Sequence, residues 1–226
     1  MSTERIVALV PMRHHSERVP GKNYRELVGE PLYAHILAAL AGCDQIDQIV
    51  VDTDSPVIMG GVQERFPEVH LIERPSELRD DRVPMNSVLR HDVQQVEADS
   101  YLQTHSTNPL LTSATMSAAI RRYLEAIPEH DSLFSVTRMQ TRLWSPVGEP
   151  INHDPAELLR TQDLPPVYEE NSCIYIFERA SFLASGNRIG ERPLLFEINP
   201  EEALDIDEEI DFQMARCLLE ASLGGE

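Results

Sequence analysis

The stretch Ile6–Arg25, IVALVPMRHHSERVPGKNYR, decides the fold. It opens with an unbroken apolar run, Ile6 to Val10, closed by Pro11. A short run without polar alternation reads as a strand buried on both faces of a parallel sheet. A loop rich in hydrogen-bond donors follows, carrying Arg13, Ser16, Arg18, Gly21, Lys22 and Asn23. Open α/β sheets hold ligands beyond the carboxyl ends of their strands, so this strand–loop junction is the expected ligand site. Lys22 is the only lysine of the chain; apart from histidine, every other basic side chain is arginine. Lysine meets phosphate as a compact point charge, arginine as a planar fork. The plainer alternative is a basic surface turn.

Composition narrows the partners. The chain has 226 residues, of which 42% are hydrophobic and 25% charged, as in ordinary globular proteins. One domain over residues 1–226, with an arm over about residues 138–170, is the expected organisation. No apolar run approaches the roughly 20 residues that cross a bilayer, and the opening MSTERIVALV lacks a signal-peptide pattern. Cys43, Cys173 and Cys217 lie far apart without metal-site spacing, which points to reduced thiols in a cytoplasm. A net charge of −19 argues against nucleic acid or an anionic membrane as partner. The first 25 residues nevertheless carry five basic groups against two acids. A positive pocket on an acidic body suits a small polyanion.

Strand and helix patterns then alternate. Leu32–Ala41 reads as a helix with Gly42 at its end, and Gln48–Val51 as a second strand. Asp54 or Ser55 caps a helix over Pro56–Arg65, and Val69–Ile72 is a short strand. Asn86 is the expected cap of a helix to Val96, with Ser87 in its first turn; this helix start is either a plain cap or an anion-binding end. Ser100–Gln103 is a strand running into Thr104–Leu111, a hydroxyl- and amide-rich loop suited to a polyol; Asn108 caps or shapes it. A helix from Ser113 to Leu124 and strands at Ser132–Thr137 and Cys173–Phe177 complete the pattern. Between the last two lies a proline-broken excursion with the sole tryptophan, Trp144. Such alternation predicts a doubly wound, mostly parallel α/β sheet. Near the end, Asp205 and Asp207 stand at i and i+2, on one face if the segment is a strand. They make either an acidic helix start or a site for a hard divalent cation that also binds phosphate.

The segment PMRHHSERVPGKN resembles the N-terminal signature of the acylneuraminate cytidylyltransferases, P-A-R-G-G-S-K-R-x-P-x-K-N. Pro11, Arg13, Ser16, Arg18, Pro20, Lys22 and Asn23 match; Met12, His14, His15 and Glu17 depart from it. Further resemblances follow in the family's order. VDTDS at Val51–Ser55 is similar to V-S-T-D-S, and Arg74-Pro75 to the start of R-P-x-x-L. The segment at Gln103 resembles L-Q-x-T-S-P-L-R, and Arg160–Pro165 resembles R-R-Q-D-L-P. Tyr168–Tyr175 resembles Y-x-x-N-G-A-I-Y with Ser172 at the glycine, and Leu204–Phe212 resembles L-D-I-D-T-x-x-D-F.

The resemblance implies a Rossmann-like nucleotidyltransferase fold and transfer of CMP from CTP to an acidic keto-sugar. It implies that Arg13 and Lys22 hold the triphosphate, with nucleotide contacts from Pro11, Met12, Ser16, Asn23, Arg74, Asn86 and Ser87. Gln103, Arg160, Gln162 and Asn171 would face the sugar, and Asp205 and Asp207 would hold Mg2+. It also implies a homodimer joined through the arm. Two other classes stay open: a nucleotide-sugar glycosyltransferase using Asp52 and Asp54 as a D-x-D pair, and a catalytically silent nucleotide-binding homologue, suggested by Glu17 and the lost glycines.

Overall fold

The computed structural model describes residues 4–223. Strand β1, Ile6–Met12, is buried along its whole length. Its alternate side chains enter two different cores, which is why it has no polar face. Ala8, Val10 and Met12 pack with Ile36, Leu37 and Ile120 on one side. Val7 and Leu9 pack with Leu89, Val93 and Phe182 on the other.

A small hairpin follows, β2 at Glu26–Leu27 and β3 at Glu30–Pro31. Helix α1, Leu32–Ala41, ends on Gly42. Strand β4, Gln48–Thr53, runs two residues further than its apolar run. Helix α2, Pro56–Arg65, has the Ser55 hydroxyl accepting from the Ile58 N–H and proline at its first turn, the expected cap. Strand β5 is His70–Glu73 and helix α3 is Met85–Gln95. Asn86 does not cap α3: Pro84 occupies the N-cap position and Asn86 lies inside the first turn. Proline sets the entry backbone there and displaces the cap by two residues.

Strand β6 is Ser100–Gln103. Helix α4, Ser113–Ala126, is capped by the Thr112 hydroxyl on the Thr115 N–H. Strand β7 is Ser132–Met139 and β8 is Val167–Glu178. Two elements went unread in the sequence: helix α5, Arg179–Ser185, and strand β9, Pro193–Glu197. Helix α6 is Glu209–Leu223.

Seven strands form one sheet in the order β5-β4-β1-β6-β8-β7-β9. The β1, β4, β5 and β6 pairings are parallel, as is β7 with β9, and β8 alone runs antiparallel to both neighbours. The sheet is therefore doubly wound and mostly parallel, as the alternation predicts. The order reverses around β1: β4 lies on one side of it and β6 on the other. Sheets of this kind open a crevice at such a reversal, beyond the carboxyl ends of the strands.

Leu204–Asp207 is not a strand; it is an extended segment outside the sheet. It is pinned by the Ile206 N–H, which donates to the Thr107 carbonyl at 2.9 Å. The Ile206 side chain is fully buried beside Leu27, Leu32 and Phe212. Burying Ile206 leaves its neighbours Asp205 and Asp207 facing the other way, so the shared face expected of them survives without a sheet. The excursion between β7 and β8 carries one isolated bridge, Trp144 to Pro150, and a single 3-10 turn, Thr161–Asp163. No helix among the described residues is long and apolar enough to cross a membrane.

Candidate active site

A cleft of about 570 Å³ opens at the carboxyl end of β1. The loop after β1 forms one wall and the Asp205–Asp207 segment another. Gly21 adopts φ +66°, the left-handed conformation that glycine takes without strain, and starts a 3-10 turn at Lys22–Tyr24. That turn brings the Lys22 ammonium to the Ile206 carbonyl, which accepts a hydrogen bond from it, and to 3.6 Å from Asp207. Arg18 donates to Asp207 at 2.7 Å, and Arg25 donates twice to Glu209, at 2.6 and 2.8 Å. The two ends of the sequence are thus joined through five side chains, Arg18, Lys22 and Arg25 from one and Asp207 and Glu209 from the other. Asp211 completes the join by accepting from the Asp207 and Glu208 N–H groups, satisfying the free donors at the start of α6.

Asn23 works from beneath. Its amide donates to the Arg13 carbonyl at 2.7 Å and accepts from Ser106 at 2.8 Å, tying the β1 loop to the β6 loop. Arg13 pairs with Asp81 across the mouth. Pro11, Ser16, Glu17 and Arg74 also line the cleft. His14 is turned aside: its N–H donates to Asp54, its ring meets the Ser55 hydroxyl at 2.7 Å and stacks on Tyr24.

The D-x-D pair is accounted for by structure: Asp54 accepts from His14, and Asp52 is buried in an ion pair with Arg74. Asp52, Asp92 and a ring nitrogen of His91 all lie within 4.8 Å of one another. Asp52 Oδ2 and Asp92 Oδ2 are both buried without a donor among the described residues, so a proton shared between the carboxyls satisfies them. Burial pushes Asp92 up to about 9, with the neighbouring Asp52 charge adding to the shift. Burial raises Asp52 as well, but Arg74 opposes this and favours its ionised form, so the proton resides on Asp92. This buried pair holds Arg74 in the cleft wall.

Asp205 and Asp207 both line the cleft. Burial raises Asp205 above the usual carboxylate range; Thr107 opposes this, Asp207 adds to it, and Lys22 opposes it. Asp205 Oδ1 is buried and accepts no hydrogen bond among the described residues. An orphaned carboxylate oxygen beside a second carboxylate suits a hard divalent cation. These two residues therefore have the chemistry to hold such a cation.

Several expected site residues are elsewhere. The Met12 side chain is in the core, 1% exposed, because it continues the inward alternation of β1. Asn86 hydrogen-bonds Asn187 at 3.1 Å, and Ser87, one position further around α3, points to solvent rather than into the cleft. Gln103 is fully buried and its amide is spent on the Thr104 carbonyl, His105 and Arg188. Asn171 is consumed by Ser135 and Thr137 at the β7–β8 irregularity. Arg160 and Gln162 are exposed on the arm, where Arg160 pairs with Asp163 at 2.7 Å. Asn108 shapes its loop, donating to the Leu204 carbonyl at 3.4 Å.

The cleft also holds residues that the sequence did not single out. His105 and Arg188 line its floor together with Ser172. Burial pushes His105 down to about 4, helped by the Arg188 and Lys22 charges, so its ring is neutral. Ser172 has φ +60°, in the position where the resembled motif has glycine. That glycine-to-serine departure was the one available signal for a special backbone here.

The comparisons agree with this geometry. The curated relatives include the N-acylneuraminate cytidylyltransferases of Escherichia coli O18:K1:H7, 25% identical over 93% of this chain, and the Danio rerio form A, 28% identical over 93%. The chain spans about half the length of each, 51% and 50%. The CMP-N,N'-diacetyllegionaminic acid synthase of Legionella pneumophila is 28% identical and matches over 96% of this chain and 97% of its own length. Among solved structures, a CMP:2-keto-3-deoxy-manno-octonic acid synthetase complexed with CTP superposes with a TM-score of 0.70 at 16% identity, over 96% of this chain and 99% of that one. A 4-diphosphocytidyl-2C-methyl-D-erythritol synthase gives 0.68 at 15% identity over the same shares. The family model described as Cytidylyltransferase matches residues 7–221. The chain therefore belongs to the cytidylyltransferase family.

Proposed function

We propose that this protein transfers CMP from CTP to the hydroxyl of an acidic keto-sugar and releases pyrophosphate. The observation that carries the reading is the meeting of Lys22 with Asp205 and Asp207 in the cleft beyond β1. A triphosphate needs positive charge and a cation site side by side. Here a cation-bearing loop and an acidic segment face each other across one cleft.

The sugar hydroxyl oxygen attacks the α-phosphorus and gives its proton up to water, its P–O bond forms, and the bond to the pyrophosphate oxygen breaks. Such displacements ask a protein for alignment and charge neutralisation more than for covalent chemistry. Lys22 is held by the Ile206 carbonyl and so reaches the leaving pyrophosphate as a fixed charge. Arg13 meets the triphosphate from the mouth, and Asn23 keeps the Arg13 backbone in place. Arg74, braced by Asp52, meets the nucleotide from the β5 side. Asp205 and Asp207 would hold Mg2+, which when bound neutralises phosphate charge.

The arm favours a homodimer. It exposes Trp144 at 52%, Val147 at 80% and Leu158 at 85%, apolar surface that a second copy would cover. Arg160 and Gln162 would then meet sugar only in a partner's cleft. The free thiols Cys43, Cys173 and Cys217 suit a cytoplasmic setting.

The test is pyrophosphate release from CTP with Mg2+ across a panel of acidic keto-sugars. Release with at least one sugar, and with no other nucleotide as efficient, is expected. CTP binding without turnover across the panel would replace this reading with the silent homologue, which Glu17 in the cleft wall favours.

A further inference from the structure

Five permanently charged cations line the cleft: Arg13, Arg18, Lys22, Arg74 and Arg188. Four have a carboxylate within 4.0 Å: Arg13 has Asp81, Arg18 and Lys22 have Asp207, and Arg74 has Asp52. Arg188 has none among the described residues, although it is the one set in the floor between β6 and β8. Half-burying a guanidinium without an ion-pair partner costs folding free energy, and burial does lower its proton affinity, with Tyr175 and the more distant Glu170 opposing the shift. A fold keeps such a group where a ligand supplies the missing charge.

The group is also rigid. Its Nη1 donates to Gln103 Oε1 at 2.5 Å, and its guanidinium carbon lies 3.6 Å from the centroid of the Tyr175 ring. Tyr175 is in turn fixed by donating to Glu170 and by a 3.1 Å contact with the Ser172 hydroxyl. With the Gln103 oxygen taken by Arg188, its Nε2 is the donor to the Thr104 carbonyl at 3.0 Å and to His105 Nε2 at 3.1 Å. His105 Nε2 therefore accepts, and the ring proton sits on Nδ1. The floor thus offers a fixed planar cation beside a neutral ring, while the loop opposite carries the phosphate-binding lysine.

We propose that Arg188 receives the carboxylate of the acidic sugar and is the residue that restricts the acceptor to acids. A planar fork matches a carboxylate with two parallel hydrogen bonds, which a neutral analogue cannot return. The buried Gln103 then acts on the sugar through Arg188 rather than by touching it. The proposal rests on the cytidylyl-transfer reading for its choice of anion.

The experiment compares wild type, Arg188→Gln and Arg188→Lys, each checked for an unchanged Tm. KM is measured for CTP and for N-acetylneuraminic acid, and for the 1-carboxamide of that sugar. If another acid of the panel is the better substrate, it and its amide are used. Arg188→Gln should raise KM for the acid on the order of 100-fold and change KM for CTP less than threefold. It should also erase the preference for acid over amide. Arg188→Lys should restore part of the acid preference, since charge returns without the fork. A rise in KM for CTP with the sugar unaffected, or an intact acid-over-amide preference in Arg188→Gln, would overturn the assignment. Sugar binding is titrated separately, in CTP and without turnover. Wild-type binding that Arg188→Gln loses, in a protein that releases no pyrophosphate, would retain the carboxylate site while removing the transfer reading. Equal binding by both proteins would overturn the carboxylate site itself.

Discussion

The two sides of the cleft are built on opposite principles. In the loop after β1, every arginine and lysine has a carboxylate partner in the chain: Arg18 and Lys22 share Asp207, and Arg13 holds Asp81. The two arginine pairs are partly exposed, so solvent screens them and each is worth little to stability. They can open for a ligand at small cost. On the floor, Gln103 and Tyr175 are buried and lock the half-buried Arg188, which has no ion-pair partner among the described residues. The loop side suits a ligand that exchanges ion pairs, such as a triphosphate with its cation. The floor suits one that brings a single fixed charge. A site for two anionic substrates gains from keeping them on different supports.

The largest break in that comparison is expected from Asp207→Asn. It removes one of the two proposed cation ligands and frees Arg18 and Lys22 from their partner. Activity should fall on the order of 100-fold or more, as for a lost charge contact to a reacting phosphate. The readout independent of turnover is CTP titration at rising Mg2+: wild type should gain affinity with Mg2+ and the variant should gain much less. Equal Mg2+ dependence would remove Asp207 from the cation site.

A second prediction concerns the Asp52–Asp92 pair that braces Arg74. The native state keeps a proton on Asp92 up to about pH 9, while the unfolded chain releases it near pH 4. Stability from this group is complete below the unfolded pKa and is lost as pH rises through the folded one. The loss approaches ~1.4 kcal/mol per pH unit inside that window. Asp92→Asn keeps a donor toward Asp52 without a proton to lose. Its Tm should therefore gain on wild type steadily from pH 5 to pH 8.5. A constant difference across that range would show that Asp92 is already ionised.

The smallest expected effect is at Ser172. Its φ of +60° is costly for a side chain, about 1 kcal/mol, and glycine would relieve it at the expense of a more flexible unfolded chain. Ser172→Gly should raise Tm by about 2 °C. A fall in Tm would mean that the hydroxyl contact with Tyr175 outweighs the strain.

What could be read from the sequence follows the same division. The loop side was legible because its groups lie together in the chain: an apolar run, a glycine turn and a lone lysine within 25 residues. Helices α1 and α2 appear at the residues their periodicity and caps predict. The cleft-lining Asp205 and Asp207 were found although their segment is not a strand, because alternation around a buried Ile206 works in any extended backbone. The floor was not legible. Arg188 belongs to the loop after α5, a short helix without a strong apolar stripe, and nothing in local spacing marks it. Gln103 misled for the same reason: the motif places it at the end of β6, but only the fold shows that Arg188 takes its oxygen. Local pattern reports which residues share an element. It does not report which side chains spend their hydrogen bonds on each other.

One measurement tests the division of the cleft most directly: titration of CTP and Mg2+, without sugar, into wild type, Lys22→Ala and Arg188→Gln. Lys22 has its ammonium beside Asp207 on the phosphate side, and Arg188 lies on the floor. Lys22→Ala should weaken CTP binding at least about tenfold. Arg188→Gln should leave it within about threefold. Undiminished CTP binding in Lys22→Ala, or a loss in Arg188→Gln as large as in the lysine variant, would contradict the assignment of the triphosphate to the loop after β1.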